Sequence, residues 1–166
     1  MRCKRGIRLK VWCVRADSGQ YAGEFLQKGF VGIGWLPQVN LLTVANRQLL
    51  RSLYQATYSH VSSPVVIGQQ VGQIARFLWD MRAGDYVVTP DGGGRIFCGI
   101  VQLDAYAYFD GNDSCPYRHR KRVVWAKAGI MRRECPPSVQ KSLRSVLTVF
   151  QVSSQEHPMD WIENAF

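Results

Sequence analysis

The stretch Asp85-Tyr86-Val87-Val88-Thr89-Pro90-Asp91-Gly92-Gly93-Gly94-Arg95-Ile96-Phe97-Cys98-Gly99-Ile100 decides the fold class. Asp85–Pro90 is built on β-branched and aromatic residues and reads as a strand. Asp91–Gly94 is hairpin-turn chemistry, without the lysine and helix of a phosphate loop. Arg95–Phe109 follows as one long strand or a bent pair. Working outward, Leu9–Arg15 alternates and is rich in β-formers, and Asp17-Ser18-Gly19 is a turn. Phe30–Trp35 is a strand broken by Gly32 and Gly34, which implies a bend or a close backbone approach. Arg122–Lys127 and Val146–Val152 are further strands. Asn46–Ser59 spaces Leu49, Leu50, Leu53, Tyr54 and Thr57 helically, with Asn46 as N-cap. Ser63 caps a second helix with Pro64 at its first position; its stripe is Val71, Ile74, Ala75, Leu78 and Met81, and Gly84 ends it. Ser138–Ser145 is a short helix. Helices and strands do not alternate regularly, so the expected class is α+β: a mixed, partly closed β-barrel with helices packed on the outside.

The chain has 166 residues, 46% hydrophobic and 20% charged, the size and composition of a globular domain. Residues 1–152 are expected to form that domain. Residues 153–166 read as a linker-like tail, either a join to something further on or a plain frayed end. Eighteen apolar residues never occur in a row, and no apolar run or cleavage site follows the basic start Met1-Arg2-Cys3-Lys4-Arg5. Cys3, Cys13, Cys98, Cys115 and Cys135 form no CxxC pair, and His60, His119 and His157 sit in no HExxH setting. Free thiols in a reducing cytoplasm are therefore expected, with no metal site and no cofactor. No GxSxG, GxGxxG or P-loop occurs, and catalysis by this chain is not expected.

Charge is the strongest compositional signal. Lys and Arg number 21 against 12 Asp and Glu, a net +9, which points to an anionic partner, most often nucleic acid. The cations concentrate in residues 1–10 and 118–144. Arg118, His119, Arg120, Lys121 and Arg122 read as a phosphate-contacting loop or a solvated one. Five tryptophans are present. Trp79 and at least one of Trp12 and Trp125 read as core. Trp35 ends a glycine-broken strand at a loop mouth, the position a stacking platform requires.

Lys10–Gly19, Gly32-Ile33-Gly34-Trp35, Met81–Pro90 and Arg95–Ile100, in this order and spacing, resemble the EVE and YTH group of PUA-like domains. Arg118–Trp125 and Ser142–Phe150 also look like that domain, in the form similar to the N-terminal domain of Mrr-type modification-dependent restriction endonucleases. The resemblance covers roughly residues 9–152. It implies a PUA-like barrel that reads a modified DNA base flipped into an aromatic pocket, as specificity module of a restriction-type defence system with a nuclease domain or subunit elsewhere. On that assignment Trp35 is the stacking wall, with Trp12 and Tyr21 as second choices. Asp17 and Ser18 are candidates for reading the base edge, or plain turn caps. Asp91 falls where the family's pocket rim would be, with a turn role as alternative. Arg118, His119, Arg120, Lys121 and Arg122 would hold phosphates. An RNA reader, and a protein-interaction module without nucleic-acid specificity, are the other readings.

Overall fold

The computed structural model describes residues 9–153 and 159–166. Cys3, His157 and most of the N-terminal basic cluster lie outside the described residues. A seven-stranded mixed sheet is the frame. β1 (Val11–Val14) runs parallel to β3 (Tyr86–Pro90), pairing Trp12 with Val87, and antiparallel to β7 (Val149–Gln151). β3 and β4 (Arg95–Tyr108) form the hairpin around the expected turn, where Asp91 Oδ1 accepts from the N–H groups of Gly93 and Arg95. β4 continues the sheet to β5 (His119–Trp125), and β5 to β2 (Phe30–Ile33). β6 (Ile130–Met131) pairs with the start of β4.

The expected barrel is corrected. The hydrogen-bonded path is open, ending at β2 on one side and β7 on the other. Strands of four and three residues at those ends carry too few ladder bonds to curl the sheet round on itself. Arg95–Phe109 resolves as one bent strand. Val101 faces Val123 but Tyr106 faces Lys121, so the residues between them loop out as a bulge. Asp104 sits there at φ 48°, and Arg122 Nη2 donates to the carbonyls of Leu103 and Asp104, holding the bend.

Both faces of the sheet are covered, which explains why all four residues of β1 are buried rather than alternating with solvent. Trp12, Val14, Val87 and Val101 meet Phe25, Leu50, Ile74 and Phe77 on one face. These come from α1 (Ala22–Lys28), α2 (Arg47–Thr57), α3 (Pro64–Ala75) and the turn after it. Val11, Cys13, Val88 and Cys98 meet Val139 and Ile162 on the other face, from α4 (Pro137–Ser142) and α5 (Asp160–Glu163). Asn46 and Ser63 cap α2 and α3 as expected, accepting from the N–H groups of Leu49 and Val66. The expected helix through Met81 stops earlier. After Ala75 the chain widens into a π-turn, Arg76–Asp80, closed by Met81 N–H to Arg76 O at 2.9 Å. The tail reading needs a second correction: residues 159–166 carry α5, whose Ile162 is fully buried. Among the described residues no helix is long and apolar enough to cross a membrane.

Candidate functional site

β2 delivers Trp35 to the surface. The chain leaves the sheet at Ile33, exposes Gly34, and turns sharply at Leu36, whose φ is 52°. A leucine in the left-handed region is strained by ~1–3 kcal/mol and persists only where its surroundings impose it. Here three ring side chains do so. Leu36 N–H donates to Tyr58 Oη at 2.9 Å, His119 Nε2 meets Leu36 O at 2.9 Å, and Tyr108 Oη–H donates to Pro37 O at 2.7 Å. The buried Leu36 side chain completes the anchor. Trp35 is thus half-buried on a backbone clamped on its C-terminal side.

The glycines before Trp35 answer a close approach, not a bend. Cβ atoms at Gly32 and Gly34 would lie 3.0 Å from Tyr117 Cβ and Cε1, so Tyr117 lies flat along this strand. Tyr117 meets Tyr21 edge-on at 5.3 Å between ring centroids. Gly34, Trp35, Tyr117 and Thr148 line a cavity of ≈ 250 Å³. Burial pushes the Tyr117 hydroxyl up to about 12, with the Asp17 carboxylate adding to the shift. The hydroxyl therefore stays protonated and able to donate. Thr148 is fixed from behind: Gln73 Oε1 accepts its N–H at 2.7 Å, and its carbonyl accepts Arg15 N–H at 2.9 Å.

Trp35 and Tyr21 are therefore both brought to Tyr117, the wall that sequence reasoning missed, while Asp17 reaches it only through its charge. Trp12 is not with them. It is buried, its Nε1 donating to Asp85 Oδ2 at 2.9 Å, and that carboxylate also accepts from the N–H groups of Lys10 and Arg82. Asp91 is a turn residue, as its bonds to Gly93 and Arg95 show. Asp17, Ser18 and Gly19 form a left-handed turn at φ 50°, 56° and 97°. This turn abuts the hairpin turn backbone to backbone: a Cβ on Gly19 would lie 2.2 Å from Asp91 O.

The expected phosphate-binding loop is largely a strand, and its three central residues, His119, Arg120 and Lys121, are buried on β5. His119 bridges Leu36 O and Tyr106 Oη, and burial lowers its pKa. Arg120 lies between the rings of Phe30 and Phe109, at 4.2 and 4.0 Å from their centroids. It donates to Tyr117 O, Cys115 O and Asp113. Asp113 also meets Lys28, and the two cations hold its carboxyl well below the usual carboxylate range. Arg120 is thereby a positioning residue for Tyr117. Lys121 Nζ donates to Met81 O at 2.6 Å and lies 3.4 Å from Leu78 O, neutralising the carbonyl end of the helix before β3. Arg118 pairs with the exposed Asp110, and Arg122 holds the bulge.

No group of three His, Cys, Asp or Glu side chains placed to hold a metal occurs among the described residues. What the geometry defines is an α+β domain on an open mixed sheet, with a small rigid aromatic cavity at the end of β2. Residues 10–153 match the family described as Domain of unknown function (DUF8426), and the chain belongs to that family. No curated protein matches the chain.

Proposed function

We propose that this domain is a nucleic-acid reader that takes one modified DNA base, flipped out of the helix, into the cavity between Trp35 and Tyr117. It would serve as the specificity module of a restriction-type defence system whose nuclease lies in another domain or subunit. The same proposal counts the sheet as PUA-like, supported by the order and spacing of the motifs quoted above. The observation that carries the reading is the cavity itself: two aromatic side chains on a clamped backbone, lining an open cleft of ≈ 250 Å³. That is smaller than the ~300–1,000 Å³ of drug-sized ligand sites and suits a single flat heterocycle. Extruding a base costs a few kcal/mol, stacking returns ~1–3 kcal/mol, and a buried methyl adds ~0.8 kcal/mol, so a modification decides a close balance. The protonated Tyr117 hydroxyl would supply a donor for the base edge, and the Asp17 carboxylate, whose charge acts on that hydroxyl, is the candidate acceptor. The net charge of +9 favours the polyanion.

The test is binding to matched duplexes carrying plain cytosine, methylcytosine, hydroxymethylcytosine or methyladenine, each at two salt concentrations. Selective, tighter binding to one modified duplex is expected. Trp35→Ala should reduce that preference by roughly tenfold or more while circular dichroism stays unchanged. Equal, salt-sensitive binding to all four would refute the modified-base reading and point to RNA. No binding at either salt would leave a protein-interaction module.

A further inference from the structure

A second cavity, of ≈ 290 Å³, opens between the Asp17–Gly19 turn and the Asp91–Gly94 hairpin turn. Arg15, Arg95 and Arg132 line it, with no carboxylate side chain among its lining residues. Arg15 is fixed by neutral acceptors, donating to the carbonyls of Leu143, Ser145 and Leu147 at 3.0, 2.7 and 3.1 Å. Arg132 reaches the carbonyl of Gln140, at 3.4 Å. The Arg95 guanidinium is exposed and makes no hydrogen bond among the described residues. None of the three arginines takes part in an ion pair among the described residues. Asp91, the nearby carboxylate, is turned onto the backbone N–H groups of Gly93 and Arg95. The floor is rigid, because a Cβ on Gly92 would lie 2.5 Å from Ser18 O.

Three arginines line one cavity with no carboxylate among its lining residues, so an oxyanion there meets an excess of positive charge, and the planar guanidinium forks suit phosphate oxygens. The cavity is also tied to the aromatic one by a backbone hydrogen bond. Arg15 lines the basic cavity, and its N–H donates to the carbonyl of Thr148, which lines the aromatic cavity. The Asp17–Gly19 turn supplies Ser18 and Gly19 to the basic cavity and leads directly to Tyr21. We infer that the Arg15–Arg95–Arg132 cavity binds a phosphate group, and that its natural occupant is a backbone phosphodiester flanking the base held at Trp35. The second clause rests on the base-reader proposal above; the first does not.

Arg95→Gln is the informative variant, because the side chain is exposed and its loss leaves the fold's own hydrogen bonds intact. Lys127→Gln, another exposed cation, controls for bulk charge. Two probes separate the clauses. Inorganic phosphate is titrated while the amide resonances of Gly92, Gly93 and Gly94 are followed by NMR. The four duplexes are then titrated across a salt series. Expected are saturable shifts at those glycines in the wild-type protein, absent in Arg95→Gln. Arg95→Gln should also weaken binding of all duplexes alike, on the order of tenfold, and reduce the salt slope by about one, with Lys127→Gln near wild type. If duplexes are discriminated but Arg95→Gln binds them as the wild type does, the phosphodiester assignment falls and the base reading stands. If phosphate binds and no duplex does, the base reading and the phosphodiester occupant fall, and the cavity takes a free phosphate. If phosphate leaves the glycines unmoved and Arg95→Gln changes nothing, the inference is overturned outright.

Discussion

His119 links the core to the aromatic cavity through a single hydrogen-bonded line. Leu36 O can only accept, so Nε2 carries the proton, and Nδ1 accepts from Tyr106 Oη–H at 2.9 Å; Tyr106 Oη in turn accepts from Leu41 N–H. The neutral ring fits this arrangement and burial lowers its pKa, so the folded state resists protonation. A depressed folded pKa contributes stability that is present above the unfolded value near 6.5 and is lost as pH falls below it, because the unfolded chain takes up the proton first. His119→Phe should therefore do two things. At pH 7 it should lower unfolding stability by ~1–3 kcal/mol, since Leu36 O and Tyr106 Oη lose a partner. Between pH 7 and 5 it should flatten the loss of stability seen in the wild type. Urea titrations at both pH values measure this, and equal pH slopes would show that the ring is not held neutral. Little of this role was legible beforehand. His119 stands in a run of five cationic or titratable residues, and a run of charge looks the same whether its heads meet solvent or carbonyls. Tyr117 was equally hidden, since its aperiodic loop is shaped by Arg120 from the next strand. The only trace was the pair Gly32 and Gly34, two residues apart on one face, leaving room for a ring.

The elements with strong local chemistry could be read in advance. Asn46, Ser63-Pro64 and the Asp91–Gly94 turn each satisfy their own backbone within a few residues, so no distant contact is needed to specify them. α1 escaped because it has seven residues, lacks a side-chain cap at Tyr21 and contains Gly23. Its signs were subtler: the Glu24–Lys28 pair one helical turn apart, and Gly29 closing it at φ 68°. Two glycines that the sequence does not tell apart, Gly23 and Gly19, differ sharply in their surroundings. Gly23 has nothing within 4 Å of a built Cβ, whereas Gly19 has φ 97° and the Asp91 carbonyl 2.2 Å away. Gly23→Ala should stabilise by ~0.5–1 kcal/mol through helix propensity. Gly19→Ala should destabilise by more than the ~1–3 kcal/mol of backbone strain alone, because the two turns must part. Thermal unfolding of the pair checks this, and equal melting temperatures would refute the turn-on-turn contact. α5 belongs at the same scale. Ile162 is fully buried against the second cluster, so Ile162→Ala should cost ~2–5 kcal/mol in chemical denaturation. A change below ~0.5 kcal/mol would return residues 159–166 to the status of a tail.

At the scale of the whole molecule, many of the described basic residues do not carry free charge to the surface, and some are paired, as Arg118 is with Asp110 and Arg47 with Asp80. Arg15, Arg120, Lys121 and Arg122 direct their heads into carbonyls of the fold, while Arg95 and Lys127 face outward. A net charge of +9 therefore overstates the free positive surface, and the charge-dense run at 118–122 is mostly architecture. Lys121 shows what that architecture demands. Burial lowers its pKa to about 8, against the pull of Asp85 and Asp80. The unfolded chain holds that proton up to 10.5, so between pH 8 and 10.5 folding releases it and stability rises with pH from this group. Buried Cys13, Cys98, Tyr106 and Tyr117 act in the opposite sense. Their acids are pushed up to about 12, so the folded state keeps protons the unfolded chain loses, and stability falls as pH climbs past their ordinary values. The wild-type profile is the sum of these opposed slopes and cannot isolate either one. The difference between wild type and Lys121→Met can, because the thiols and phenols are common to both. That difference should shift in favour of the wild type as pH rises from 8 to 10.5, measured by guanidinium titration at fixed ionic strength. A difference that stays flat would mean that the amine titrates in the fold as it does in water, so that its burial carries no cost to the charged form.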